Sequence, residues 1–287
     1  MKTESHKCYS LTKKGNINPS NVIKERMERT DLVIKFFHKL KPEDLNLYIN
    51  TLKDKLDEIV GDYEFDESAF DWEFLREGNE VLSDFPDFEK TVFLWICKTL
   101  KIPDTYHSEK GAIELVYFDE IKSKARLPYY RVKTFAEMYG KEEGIEIYKQ
   151  VVQEVIKALK SKYMPPKPPN PESITILASN KGSIESWRRI GLVDFTYCIF
   201  DDFKIIYRFD NCLTPEALKD FNDPDIAYLA TCYIGDAPEW NKDKIIHMRR
   251  TQTLHHAKFC DEFYWNNYVH PDAEQPSLEF TRNMGKD

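Results

Sequence analysis

The chain has 287 residues, 41% of them hydrophobic and 14% aromatic, and carries a net charge of -8. This is enough for one large domain or two small ones around a sizeable core. An acidic chain without a basic stripe argues against nucleic-acid binding, and no apolar run approaches the length of a membrane span.

The six cysteines include no CxxC pair, so the common structural zinc patterns are missing. The N-terminus is polar and lysine-bearing, without the apolar core of a signal peptide. Free thiols in a reducing cytoplasm are the expectation, several of them packing like small hydrophobes.

Residues 1–20 read as a flexible N-terminal arm. A mostly helical region over 21–163 follows. Residues 22–40 carry a helical pattern, and over 42–60 the apolar residues Leu45, Tyr48, Ile49, Leu52, Leu56 and Ile59 recur at three- and four-residue spacing. Pro42 suits the first turn of that helix and Gly61 its stop. The acidic stretch 61–90 reads as a solvated face. Residues 88–100 form a third helix. Residues 113–123 fit helix or loop, and helix resumes over 129–139 up to Gly140. Over 142–162 the stripe Ile145, Tyr148, Val152, Val155, Ile156 and Leu159 predicts the best helix in the chain.

Five prolines in seven residues, Pro165 to Pro171, exclude helix and central strand. Residues 164–173 are therefore expected to be an extended linker, with a stiff connector favoured over a PxxP ligand. Beyond it, 174–287 reads as an α+β domain. Residues 192–200 and 203–209 are rich in β-branched and aromatic side chains and are separated by Asp201-Asp202, which predicts a hairpin. Thr214-Pro215-Glu216 and Asp223-Pro224-Asp225 each open a short helix. Residues 244–251 and 258–265 read as two further strands. The expected fold class is α+β: a helical N-terminal region, then a C-terminal antiparallel sheet with short helices.

The densest chemistry lies in the fifteen residues Thr251–Trp265, which hold His255, His256, Cys260, Asp261 and Glu262. Imidazole and thiol are the side chains that move protons or attack carbon near neutral pH. On a strand over 258–265, Cys260, Glu262 and Tyr264 share one face, and Asp261, Phe263 and Trp265 the other.

Four pieces occur in order here: Arg208-Phe209-Asp210-Asn211-Cys212, Cys232-Tyr233-Ile234-Gly235-Asp236, Arg250-Thr251-Gln252-Thr253-Leu254, and Cys260-Asp261-Glu262-Phe263. In this order they resemble the L-2-amino-thiazoline-4-carboxylic acid hydrolase family, over roughly residues 127–266 and best over 191–266. The segment from Leu127-Pro128 to Gly140 and the long helix after it also look like the family's upstream region. The chain departs from the family at His255-His256-Ala257-Lys258, where members often have glycines, and this changes the chemistry available to the site. The first 125 residues lie outside the resemblance.

The resemblance implies a hydrolase that cleaves a C–N or C–S bond in a small cyclic amidine- or amide-type, carboxylate-bearing substrate. Its nucleophile would be a thiol, or a water activated by imidazole. Cys232 and Cys260 are then candidate nucleophiles, and His255 or His256 a base. Asp236 and Asp261 could orient an imidazole. Arg250 could hold a carboxylate in a bidentate fork, with Thr253 and Tyr264 beside the substrate. Each residue also has a structural reading: packing for the cysteines, a salt bridge for Arg250, pocket wall for Tyr264. Zinc or iron on the His-Cys-Asp-Glu cluster is the weaker option, since no HExxH or paired ExxH motif is present, so no metal or other cofactor is expected. A non-catalytic small-molecule-binding module, or a ring-forming tailoring enzyme, stands as the alternative. The expected partner is a small-molecule substrate, without nucleic acid or membrane.

Overall fold

The computed structural model describes residues 1–286. The chain divides into two compact units: Thr12–Ala158, and Met1–Leu11 together with the chain from Leu159 onward. The fold is mixed α+β, with N-terminal helices and a C-terminal antiparallel sheet.

The first unit is helical. It holds β2 (Lys14–Ile17), α1 (Pro19–Leu40), α2 (Leu45–Val60), α3 (Trp72–Arg76), α4 (Pro86–Leu100), β3 (Ile113–Val116), α5 (Tyr117–Tyr139) and most of α6 (Lys141–Tyr163). The two strands pair only with each other. Asn18 caps α1 by accepting from the Asn21 N–H, with Pro19 at the first turn. The expected stripe of α2 is buried through Leu45, Tyr48, Ile49, Leu52 and Leu56. The α5 helix differs from the expectation of a helix beginning after Pro128, because it runs through that proline from Tyr117. An interior proline forgoes one backbone hydrogen bond. Burial of Tyr117, Ile121, Ala125 and Leu127 on its N-terminal side keeps the segment helical.

The second unit is built on a five-stranded antiparallel sheet in the order β1-β4-β5-β7-β6: β1 (Lys2–His6), β4 (Val193–Asp201), β5 (Lys204–Cys212), β7 (Cys260–Asn266) and β6 (Ile246–Arg249). Residues 1–20 are therefore not a loose arm. Lys2–His6 pair antiparallel with β4, from Lys2 opposite Ile199 to His6 opposite Phe195, and 14–17 pair with β3. A five-residue polar strand carries little periodicity, and its partner lies some 190 residues away in sequence.

One face of this sheet, with Phe195, Tyr197, Tyr207, Phe209 and Cys260, packs against Ile184 and Trp187 of α7 (Ile176–Ile190). The other, with Cys198, Ile206, Phe263 and Trp265, packs against Phe280 of α12 (Leu278–Asn283). Helix α7 was not expected from the sequence. It starts on the Thr175 cap and stops at Gly191 in the left-handed region. Between β5 and β6 run the short helices α8 (Leu213–Glu216), α9 (Pro224–Thr231), α10 (Tyr233–Asp236) and α11 (Pro238–Asn241). The proline segment lies inside the second unit, is exposed almost throughout, and sets the Lys167 ammonium 4.3 Å from the centre of the Tyr268 ring.

Candidate active site

The hairpin-like return from β6 to β7 sets the site. Its connecting loop, 250–259, is fixed from below by Asp261, which is fully buried. The Asp261 carboxylate accepts from the Thr251 N–H (3.0 Å), the Thr251 hydroxyl (2.7 Å), the Gln252 N–H (2.9 Å) and the Gln275 amide (2.8 Å). These four bonds, three of them from the loop, use up its acceptor capacity. Asp261 faces the opposite side of β7 from Cys260, and it positions Thr251 and Gln252 rather than an imidazole.

Arg250 leaves the end of β6 into a buried position between two carboxylates. Its Nε lies 3.0 Å from Asp236 Oδ1 and its Nη2 3.3 Å from Glu262 Oε1. Nε makes no hydrogen bond among the described residues, so the Asp236 contact is an ion pair without hydrogen-bond alignment. Burial works against the guanidinium's charge, but Glu262 and Asp236 outweigh it and hold its pKa above the ordinary value. Gly235 makes this approach feasible. A Cβ there would lie 2.6 Å from Arg250 Nη2 and 2.7 Å from Met248 Cε. Asp236 also accepts a 2.9 Å hydrogen bond from the Tyr228 hydroxyl. Burial still holds the Asp236 carboxyl above its ordinary pKa, against the pull of Arg250 and Tyr228.

The expected constellation divides between two cavities. Asp236, Arg250, Thr253 and His256 share the wall of a cavity of ≈ 600 Å³, with Tyr228 and Gly235 beside them. Thr253 is 5% exposed, and its hydroxyl has no hydrogen-bond partner among the described residues. His256 sits at the exposed margin, 3.1 Å from Asp225 Oδ1. His255, its sequence neighbour, points into a second cavity of ≈ 360 Å³, whose wall includes Cys212, Tyr9 and Asp223. The Thr231 hydroxyl donates to the Ala227 carbonyl at 2.7 Å and lies 2.9 Å from His255 Nε2. With its proton so committed, the hydroxyl accepts from His255 Nε2–H, which leaves Nδ1 unprotonated. Burial, with His256 and Arg250 adding to it, lowers the His255 pKa to about 4, so the ring is neutral at pH 7.

Cys232, Cys260 and Tyr264 line neither cavity. Tyr264 donates to Glu262 at 2.6 Å, inside the layer behind Arg250. Burial pushes the Cys232 thiol up and the Cys260 thiol well up, and pushes Cys212 to about 12. All three are protonated thiols at neutral pH, the opposite of an activated nucleophile. Among the described residues, no group of three or more His, Cys, Asp or Glu could hold a metal ion.

Glu262 was placed on the Cys260 face by strand alternation, but its pairing with Arg250 was not foreseen. Tyr228 had no such signal, because it reaches Asp236 only through the turn between α9 and α10. Compared with models of known families, with curated proteins and with solved structures, the chain finds no match.

Proposed function

We propose that the second unit is a hydrolase acting on a C–N or C–S bond of a small, carboxylate-bearing cyclic amidine- or amide-type substrate in the ≈ 600 Å³ cavity. The observation that carries this reading is Asp236: a carboxyl with a pKa raised by burial, beside the Arg250 guanidinium, on the wall of a ligand-sized cavity. The family resemblance of the Arg250–Leu254 and Cys232–Asp236 pieces points the same way.

In this mechanism Arg250 and the Thr253 hydroxyl hold the substrate carboxylate. The Asp236 carboxylate takes a proton from water as the water oxygen bonds to the amidine carbon. The ring C–N or C–S bond then breaks, and the departing nitrogen or sulfur takes that proton back from Asp236. A carboxyl raised toward neutrality suits both halves of this exchange. Water is preferred to a thiol because all three nearby thiols are held protonated. The cytoplasm is the compartment this reading assigns.

The test is ring opening of 2-amino-thiazoline-4-carboxylate, followed by chromatography. Wild type should turn it over. Asp236→Asn should lose about 10²–10⁴-fold in rate, the range of a missing general acid–base, while still binding the substrate. Wild type that binds the compound without opening it would favour the second reading, a binding module, to which the protonated thiols also lend support. Wild type that neither binds nor turns over would remove the substrate class.

A further inference from the structure

The helical unit contains a buried cation that its own residues do not neutralise. Arg131 on α5 is 4% exposed. It forms no ion pair among the described residues. Its contact is a 3.5 Å approach of Nη1 to the Thr30 hydroxyl, and its Nε has no hydrogen-bond partner.

The surroundings add positive charge. Arg26, 2% exposed, and Arg29 both lie on α1 near Arg131. Arg26 uses Glu25 and Glu120, each at 2.6 Å, and Arg29 shares Glu25 at 3.0 Å. Two carboxylates thus serve three guanidinium groups. The Nε atoms of Arg26 and Arg29 and the hydroxyl of Tyr48 are also buried without partners among the described residues. The two buried acids of α1 lie elsewhere: Asp31 accepts from the Glu80, Val81 and Leu82 N–H groups, and Glu28 sits roughly 200° around the helix from Arg26 and Thr30 at about 100° per residue.

A buried lysine could shed its proton. A guanidinium does not, so its charge must be met by an anion. Burial, with Arg29 and Arg26 reinforcing it, pushes the Arg131 pKa down from its ordinary value. Tyr48, its phenol pushed up by burial, remains a neutral O–H donor.

We propose that the helical unit binds the oxyanion group of a small molecule, a phosphate or a carboxylate, on Arg131, with Arg26 and Arg29 as flanking cations and the Tyr48 hydroxyl as a further donor. A planar guanidinium pairs with either group through two parallel hydrogen bonds. This site is independent of the hydrolase reading, which concerns the other unit.

The test uses the full chain. Inorganic phosphate and acetate are titrated separately at constant ionic strength made up with chloride, and thermal unfolding is followed. One of them should raise Tm saturably, by about 5 °C at a hundredfold excess over Kd. Phosphate alone identifies a phosphoryl ligand, acetate alone a carboxylate. Arg131→Met should abolish the response and, in chloride, melt at or above the wild-type temperature, because it removes an uncompensated charge. If that variant does not fold, Arg131→Lys should weaken the response at least tenfold. Absence of any saturable response in wild type overturns the site. So does an unchanged response in Arg131→Met or Arg131→Lys; an acetate effect of that kind would belong to Arg250.

Discussion

Asp236 illustrates how a reactive group is maintained against stability. Its carboxyl is taken out of water more than Arg250 and Tyr228 compensate, so its folded-state pKa lies above the unfolded value near 3.9. For such a group the ionised form is the costly one. Stability is undiminished below the unfolded pKa and is lost as pH rises through the folded pKa. A neutral carboxamide at this position mimics the protonated acid. The variant Asp236→Asn should therefore melt above wild type at pH 7, and the difference should shrink as pH falls through the carboxylate range. Thermal melts from pH 7 to about pH 4 would measure this. A variant less stable than wild type at pH 7 would mean that the Arg250 ion pair outweighs the burial cost, and Asp236 would then be a structural partner of Arg250.

At the scale of elements, the sheet depends on a strand that sequence periodicity did not reveal. β1 covers one edge of β4, and the Ser5 and Thr196 hydroxyls meet at 2.9 Å. Just beyond it, Asp194 Oδ1 accepts from the Cys8 and Tyr9 N–H groups at 2.7 and 3.0 Å, while Oδ2 accepts from Asn211 at 2.9 Å. Burial raises the Asp194 pKa, but these hydrogen bonds outweigh it and hold it below the ordinary value. Removing residues 1–9 should cost about 2–4 kcal/mol, several hydrogen bonds at about 1 kcal/mol each. It should also expose β4 as an unprotected edge. A chemical denaturation curve unchanged by the truncation would show that β1 is dispensable. The contrast with α2, α4 and α6 explains what was legible. Those helices bury long apolar stripes, and their 3.6-residue period survives in the sequence. Helix α7 buries only Ile176 and Asn180 outright, and its polar middle, Ser179 to Ser183, hides the period. The β4–β5 hairpin was legible because both strands are dense in β-branched and aromatic residues. The site was legible as a set of residue types, and Arg250, Thr253, Asp236 and His256 do share a cavity wall. The division between neighbouring His255 and His256 was not legible, because a turn in which the Thr253 carbonyl accepts from the His256 and Ala257 N–H groups sends adjacent side chains apart.

Across the whole molecule, the six cysteines provide a single measurement that weighs thiol against water chemistry. All six are free thiols. Cys97, Cys198 and Cys260 are buried, and Cys8, Cys212 and Cys232 are partly accessible. Accessibility alone would make three reactive. Thiolate fraction narrows this further, because a thiol held at about 12 has a thiolate population about 3000-fold below that of an ordinary cysteine near 8.5. Cys232, also pushed up by burial, is slowed in the same direction. Native protein at pH 7.5 should therefore give one prompt equivalent with a disulfide reagent, at Cys8. Cys212 and Cys232 should follow slowly, and all six should react once the chain is unfolded. Peptide mapping of the prompt adduct would decide the matter. If Cys232 or Cys260 is labelled first, local opening or a bound substrate activates that thiol, and covalent catalysis regains its place. If Cys8 is labelled first and turnover survives the modification, the hydrolytic step belongs to water and Asp236, with the buried sulfurs serving as packing behind Arg250.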